Sequence, residues 1–204
     1  MTVSHSLPGL LLGVLLGLPC VAFCGGDMIR VVDEGGIRDE WTLPPGYKLV
    51  LPGYPAQFAD QQAEACVAIG YLINPDGSTS GFALLKRWTA ADVPGRPSQD
   101  YWAAFAQSSA QALSQWRFQP RAEVKVPRSV YTVATFLFAA KSAQLRGRCA
   151  LPGLAAHLRG LRQDPGTRRK MDAALFDRLE LDTLRGQRDQ ALRSRMNESG
   201  GMGN

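Results

Sequence analysis

The chain has 204 residues, of which 45% are apolar and 20% charged; this composition is ordinary for a folded protein and excludes wholesale disorder. The length accommodates one domain with appendages. The formal charge of +5 is concentrated at the carboxyl end, because residues 141–204 hold 13 Lys and Arg against 7 Asp and Glu, whereas residues 27–140 hold 10 against 11.

A short hydrophobic run opens the chain, from Leu10 to Leu18. It is too short to cross a bilayer, since a membrane-spanning helix takes about 20 residues. A short apolar run followed by small residues and a turn former is typical of a signal peptide, so residues 1–24 are predicted to direct export to the periplasm. No Lys or Arg precedes the run, which leaves an uncleaved inner-membrane anchor open as the alternative. A lipid anchor on Cys24 is a lesser one.

Residues 25–53 are rich in glycine, proline and charge, which predicts an extended lead-in with turns. From Ala65 to Ile73 both alternating sets of side chains are apolar, as expected for a strand covered on both faces. Residues 74–78, NPDGS, then supply a proline and an Asp-Gly pair for a tight turn. The sequence therefore predicts a β-hairpin.

A helix is predicted after the hairpin, with Ser98 as its amino-terminal cap. Apolar residues recur three and four positions apart from Trp102 to Trp116, which indicates one buried face, and Pro120 requires the helix to end before it. Residues 129–139 are dense in β-branched and aromatic side chains, as in a strand. The order strand, strand, helix, strand predicts an α+β fold, a small antiparallel sheet with a helix on one face.

Residues 141–204, called the tail below, are predicted to be helical and basic. The basic tail could meet nucleic acid or an anionic membrane surface, but acids alternate with its arginines, which favours a solvated face and makes nucleic acid the less favoured partner. Export would place Cys66 and Cys149 in an oxidising compartment. We therefore hypothesise a disulfide between them, closing a loop of about 80 residues and stabilising the fold by about 4 kcal/mol. The alternative is a buried Cys66 and a free Cys149.

Four landmarks in order resemble one known family, the carboxy-terminal domain of the TonB energy transducer. They are an opening Tyr-Pro pair before a short helix, an Asp-Gly turn, a Trp-Arg-Phe-x-Pro signature at the end of the helix, and a last hydrophobic strand. Here the motif residues are Tyr54, Pro55, Asp76, Gly77, Trp116, Arg117, Phe118 and Pro120. The resemblance covers residues 54–140, and each landmark also has a structural role as turn, helix stop or buried aromatic.

The resemblance implies a function of protein binding rather than catalysis. The family grips an extended segment of an outer-membrane receptor by adding it as a strand, so the partner is expected to be such a receptor or another envelope protein. A homodimer is a further expectation, as is contact of the tail with an anionic membrane. The residues that the resemblance assigns to the partner edge are Val130, Thr132, Ala134, Phe136 and Phe138. The alternative is that the tail covers this edge.

No enzyme motif stands out in the sequence. His157 is the one histidine beyond the signal, Cys66 lies in mid-strand, and there is no CxxC pair, HExxH motif or Gly-rich phosphate loop. We therefore expect no catalytic residues, metal or cofactor. The alternative function is that of a structural envelope protein whose basic tail associates with an anionic membrane surface.

Overall fold

The computed structural model describes residues 28–61, 63–90, 98–139, 144–163 and 171–181. Two 3-10 helices occupy Gly36–Asp39 and Ala56–Gln61. The strands are β1 (Ile29–Val31), β2 (Trp41–Thr42), β3 (Ala65–Ile73), β4 (Thr79–Thr89), β5 (Gln119–Pro120), β6 (Val130–Phe138) and β7 (Leu179–Glu180). The helices are α1 (Gln99–Ser114), α2 (Leu145–Cys149), α3 (Leu154–Gln163) and α4 (Ala173–Arg178). The fold is α+β.

The predicted hairpin is formed by β3 and β4. At its turn the Asn74 N–H donates to the Ser78 carbonyl at 2.8 Å, and the Gly77 N–H donates to the Asn74 carbonyl at 2.9 Å. The two strands pair antiparallel, from Ile73 opposite Thr79 to Ala65 opposite Thr89, with two shifts of register. Such bulges increase the local twist of the strand that carries them.

Helix α1 follows the prediction closely. The Ser98 side chain accepts a hydrogen bond from the Tyr101 N–H at 3.1 Å, which satisfies one of the free donors of the first turn. The helix packs its apolar face on the sheet, where Phe105 and Leu113 are fully buried. The buried Ser109 donates its hydroxyl to the Phe105 carbonyl at 2.8 Å, so the one polar residue in the stripe is satisfied.

The main sheet is mixed, which corrects the predicted antiparallel arrangement. Its order is β4-β3-β6-β1-β7, and β1 pairs parallel with both β6 and β7. Strand β1 belongs to the predicted lead-in and β7 to the tail. Each of these pairings spans two residues of either strand and is supported by burial, since Ile29 and Leu179 are 1% and 0% exposed. A second sheet of two strands joins β2 to β5.

Strand β6 lies between β3 and β1 in the order of the main sheet. Strand β3 pairs with the whole length of β6, and β1 pairs with its first two residues on the other side. A strand covered on both faces is apolar throughout, which explains the composition of β6. Among the described residues, no strand pairs with its outer side from Thr132 onward. The residues assigned to the edge are all buried: Val130, Thr132, Ala134, Phe136 and Phe138.

Both faces of the sheet are covered, so the predicted helix on one face is only half of the arrangement. One core lies under α1 and includes Ile69, Phe105 and Phe136. The opposite core lies under α3 and α4 and includes Tyr131 and Phe176. The described part of the tail is therefore a structural layer of the domain. The tail beyond Leu181 lies outside the described residues, as does the predicted signal peptide.

A disulfide joins Cys66 of β3 to Cys149 of α2, with an S–S distance of 2.00 Å and a Cα–Cα distance of 6.0 Å. Both cysteines are 0% exposed and pack with Leu145. The bond spans a sequence separation of 83 residues. It fixes the start of the tail to the first residues of β3.

Candidate strand-docking site

The Asp-Gly motif joins the hairpin turn to the segment after α1. Gly77 has φ 78°, and the Phe118 N–H donates to the Gly77 carbonyl at 2.9 Å. The Asp76 carboxylate accepts from the Ser78 hydroxyl at 2.6 Å and from the Ser78 N–H at 2.9 Å. These hydrogen bonds hold the pKa of Asp76 below its usual value. The motif closes the hairpin turn and holds it to the segment after α1.

The Trp-Arg-Phe-x-Pro motif is a structural junction. The Trp116 indole N–H donates to the Val50 carbonyl at 2.7 Å, and its ring meets Tyr71 edge-on at 5.9 Å. Arg117 donates to the carbonyl of Ser114 at the end of α1. Pro120 lies opposite Trp41 in the small sheet. The motif therefore ties the lead-in to the end of α1.

Tyr54 and Pro55 fix the entry to β3. The Tyr54 ring meets Phe105 edge-on at 5.1 Å, and its hydroxyl donates to the Ala63 carbonyl at 3.3 Å. Burial, with a further contribution from Tyr101, raises the pKa of Tyr54 to about 12. Pro55 is buried. The Asp-Gly turn and the segment after α1 thus meet at Gly77 and Phe118, whereas Tyr54 and Pro55 lie at the entry to β3.

The outer edge of the sheet is β4, an eleven-residue strand. In the described part of the chain its one strand neighbour is β3. An edge strand presents backbone donors and acceptors that can pair with another extended chain. The structure therefore places a long pairing edge on the hairpin, on the side of β3 away from β6.

A shallow groove of about 220 Å³ runs between this edge and α1. Its β4 side carries Phe82 and Leu84, both half-buried, and its helix side carries Ala106 and Ala110. The alanines leave space beside the strand because they project no further than a methyl group. A strand added to β4 would set every second side chain toward this groove.

The hydrogen-bond pattern of the hairpin shows which groups of β4 point outward. The Ala90 N–H donates to the Glu64 carbonyl at 2.8 Å, and facing pairs of an antiparallel ladder alternate between bonded and non-bonded. By that alternation Arg87, opposite Val67, directs its N–H and carbonyl away from β3. Its exposed guanidinium lies over the Trp102 ring of α1 at 5.1 Å. Arg87 thus offers both an outward backbone N–H and carbonyl and a positive charge at this edge.

Sequence reasoning identified the hairpin but missed its role as the edge. The residues it missed are Phe82, Leu84, Ala106 and Arg87. The sequence does show apolar residues on this strand and small residues on α1. It does not show the strand order, which is what places the two sets side by side.

Across the described ranges, no three His, Cys, Asp or Glu side chains are placed to hold a metal ion. No helix there has the length and apolar character for a bilayer crossing.

No protein-family model and no curated protein matches the chain. Among solved structures, it is similar to the solution NMR structure of the Pseudomonas aeruginosa TonB CTD, with a TM-score of 0.32 and 22% identity. That similarity covers 47% of this chain and 85% of the other. At this level the likeness carries no functional assignment.

Proposed function

We propose that this protein is a non-enzymatic binding module of the bacterial cell envelope, which captures an extended segment of another protein as an added strand on β4. The observation that carries the proposal is the eleven-residue edge strand flanked by an apolar groove. Backbone hydrogen bonds would supply affinity and alternate side chains in the groove would supply selectivity. The segment that fits has an extended backbone and an apolar residue opposite Leu84.

The proposed location is the periplasm, with an inner-membrane anchor as the alternative. The buried disulfide between Cys66 and Cys149 supports export, because disulfides persist in oxidising compartments. The sequence resemblance to the TonB carboxy-terminal domain supports a partner from the outer membrane, in particular a receptor segment used in TonB-type transport. On this proposal the partner pairs with β4 rather than with β6.

The proposal is tested with two substitutions at one position. Arg87→Pro removes the outward N–H, whereas Arg87→Ala keeps the N–H and removes only the guanidinium. The probe is a set of labelled synthetic peptides that tile the periplasmic segments of outer-membrane receptors from the same genome, measured by fluorescence anisotropy. Arg87→Ala should retain most of the affinity, and Arg87→Pro should lose at least about tenfold, since a lost hydrogen bond and a blocked ladder together exceed about 1.4 kcal/mol.

Two results would overturn strand capture on β4. One is that no peptide of the set binds the unmodified protein. The other is that the alanine and proline variants at Arg87, both with native thermal unfolding, bind equally. Pairing of two β4 edges would instead produce a homodimer, which the same proline would dissociate in analytical ultracentrifugation.

The alternative function, association of the basic tail with an anionic membrane surface, is less favoured. Several tail arginines make contacts within the protein: Arg159 donates to the Leu181 carbonyl and Arg162 donates to the Phe176 carbonyl. A cation used in this way is less available to lipid headgroups. Co-sedimentation with phosphatidylglycerol vesicles, but not with phosphatidylcholine vesicles, would support the alternative.

A further inference from the structure

On the side of β6 that faces away from β3, a side chain takes over the hydrogen bonding where pairing with β1 stops. Beyond Tyr131, the N–H of Thr135 donates to the Glu34 carboxylate at 3.0 Å, and the Thr135 hydroxyl donates to the other carboxylate oxygen at 2.9 Å. In a longer parallel pairing a backbone carbonyl would accept that N–H. The Glu34 carboxylate thus stands in for the next residues of a neighbouring strand.

Asp33 extends the same closure toward the tail. Its backbone carbonyl accepts from the Thr132 hydroxyl at 3.2 Å. Its carboxylate accepts from the Leu154 N–H at 2.6 Å, at the first residue of α3. A carboxylate at that position satisfies a free donor of the helix and interacts favourably with its dipole. Asp33 and Glu34, called the edge clasp below, therefore tie β6 to the tail.

The clasp is connected to the disulfide through α2. The Arg146 guanidinium lies 2.7 Å from the Glu34 carboxylate and bonds the oxygen that also accepts the Thr135 N–H. Arg146 lies three positions before Cys149 on α2, and Cys149 is bonded to Cys66 on β3. The disulfide thus joins to β3 the helix that carries this guanidinium.

We propose that the edge clasp blocks strand addition on β6, and that the Cys66–Cys149 disulfide keeps it closed by holding Arg146 against Glu34. The consequence is one-sided pairing: an extended partner finds β4 open and β6 occupied. A chain without the disulfide would fold with a looser clasp and a β6 edge that another chain can reach. This inference stands independently of whether β4 binds a partner.

The clasp is tested by amide hydrogen exchange of the full chain, read at Thr135 by NMR. The Thr135 amide should exchange at least about tenfold faster in Glu34→Ala, because its acceptor is gone. Arg146→Ala should accelerate it by about two- to fivefold, the range for an exposed ion pair. Arg148→Ala is the matched control, since Arg148 lies on the same helix but over the Trp88 ring at 5.3 Å, and it should leave Thr135 unchanged.

The coupling to the disulfide is tested with the double variant Cys66→Ala and Cys149→Ala. Thr135 should exchange faster, whereas the Phe118 amide, bonded to Gly77 far along the chain, should not. Equal acceleration at both amides would mean general loosening and would overturn the coupling, as would an unchanged Thr135. If the double variant does not fold, Arg146→Ala decides with the disulfide intact, because an unchanged Thr135 amide there removes the link between α2 and the clasp.

Discussion

Gly77 is the residue at which the hairpin turn touches the segment after α1. A β-carbon built there would lie 1.8 Å from the Phe118 carbonyl oxygen, and the residue has φ +78°. The first fact forbids any side chain, and the second disfavours every L residue with a β-carbon. Gly46 has a similar φ of +73° but no atom within 4 Å of its position. A substitution at Gly77 would therefore cause both steric overlap and backbone strain, whereas one at Gly46 would cause backbone strain alone.

We expect Gly77→Ala to lower the free energy of unfolding by at least about 3 kcal/mol, because it adds overlap to strain. Gly46→Ala, the control, should lower it by about 1 kcal/mol from strain alone. Urea denaturation followed by circular dichroism measures both. Equal losses in the two variants would show that the turn and Phe118 can separate without cost.

Residue roles with a local signal could be predicted from the sequence. Ser98 caps α1 and Asp76-Gly77 turns the hairpin because each acts on its immediate neighbours in the chain. The bond between Glu34 and Thr135 joins residues 101 positions apart. Nothing in either neighbourhood distinguishes Glu34 from the other acidic residues of the sequence, so this contact could not be predicted without the strand order.

Among elements, length decided what the sequence could predict. Strands β3, β4 and β6 and helix α1 are nine to sixteen residues long, which is enough for a hydrophobic period to be visible. Strands β1 and β7 have three and two residues and form through tertiary packing. No hydrophobic period in the sequence indicated that β1 pairs with the first two residues of β6.

A substitution in the buried face of α3 tests whether the tail is a structural layer of the domain or an appendage. Leu154 is 0% exposed in the core beneath that helix, so Leu154→Ala should lower the free energy of unfolding by about 2–5 kcal/mol. Leu51→Ala is the control, since Leu51 is 75% exposed, and it should change stability by less than about 0.5 kcal/mol. Chemical denaturation measures both. A loss at Leu154 no greater than at Leu51 would mean that the sheet is stable without α3.

At the scale of the whole molecule, tyrosines are buried on both sides of the sheet. Tyr71 belongs to the core under α1 and Tyr131 to the core under the tail. Burial raises the pKa of both phenols well above the ordinary value of 10.0, with Glu34 contributing at Tyr71. The Tyr131 hydroxyl has no hydrogen-bond partner among the described residues. The two cores thus share a sensitivity to alkaline pH.

The sign of that sensitivity follows from the raised pKa values. The folded chain keeps these phenols neutral above pH 10, where the unfolded chain loses their protons, so the stabilisation is complete below about pH 10 and is lost as pH rises. Tyr131→Phe should reduce the fall in unfolding free energy by up to about 1.4 kcal/mol per pH unit above pH 10. At pH 7 the variant should be at least as stable as the unmodified protein, because removing an unpaired buried hydroxyl costs little. Urea denaturation at pH 7, 10 and 11 measures both effects, and a marked loss at pH 7 would reveal a partner for the hydroxyl.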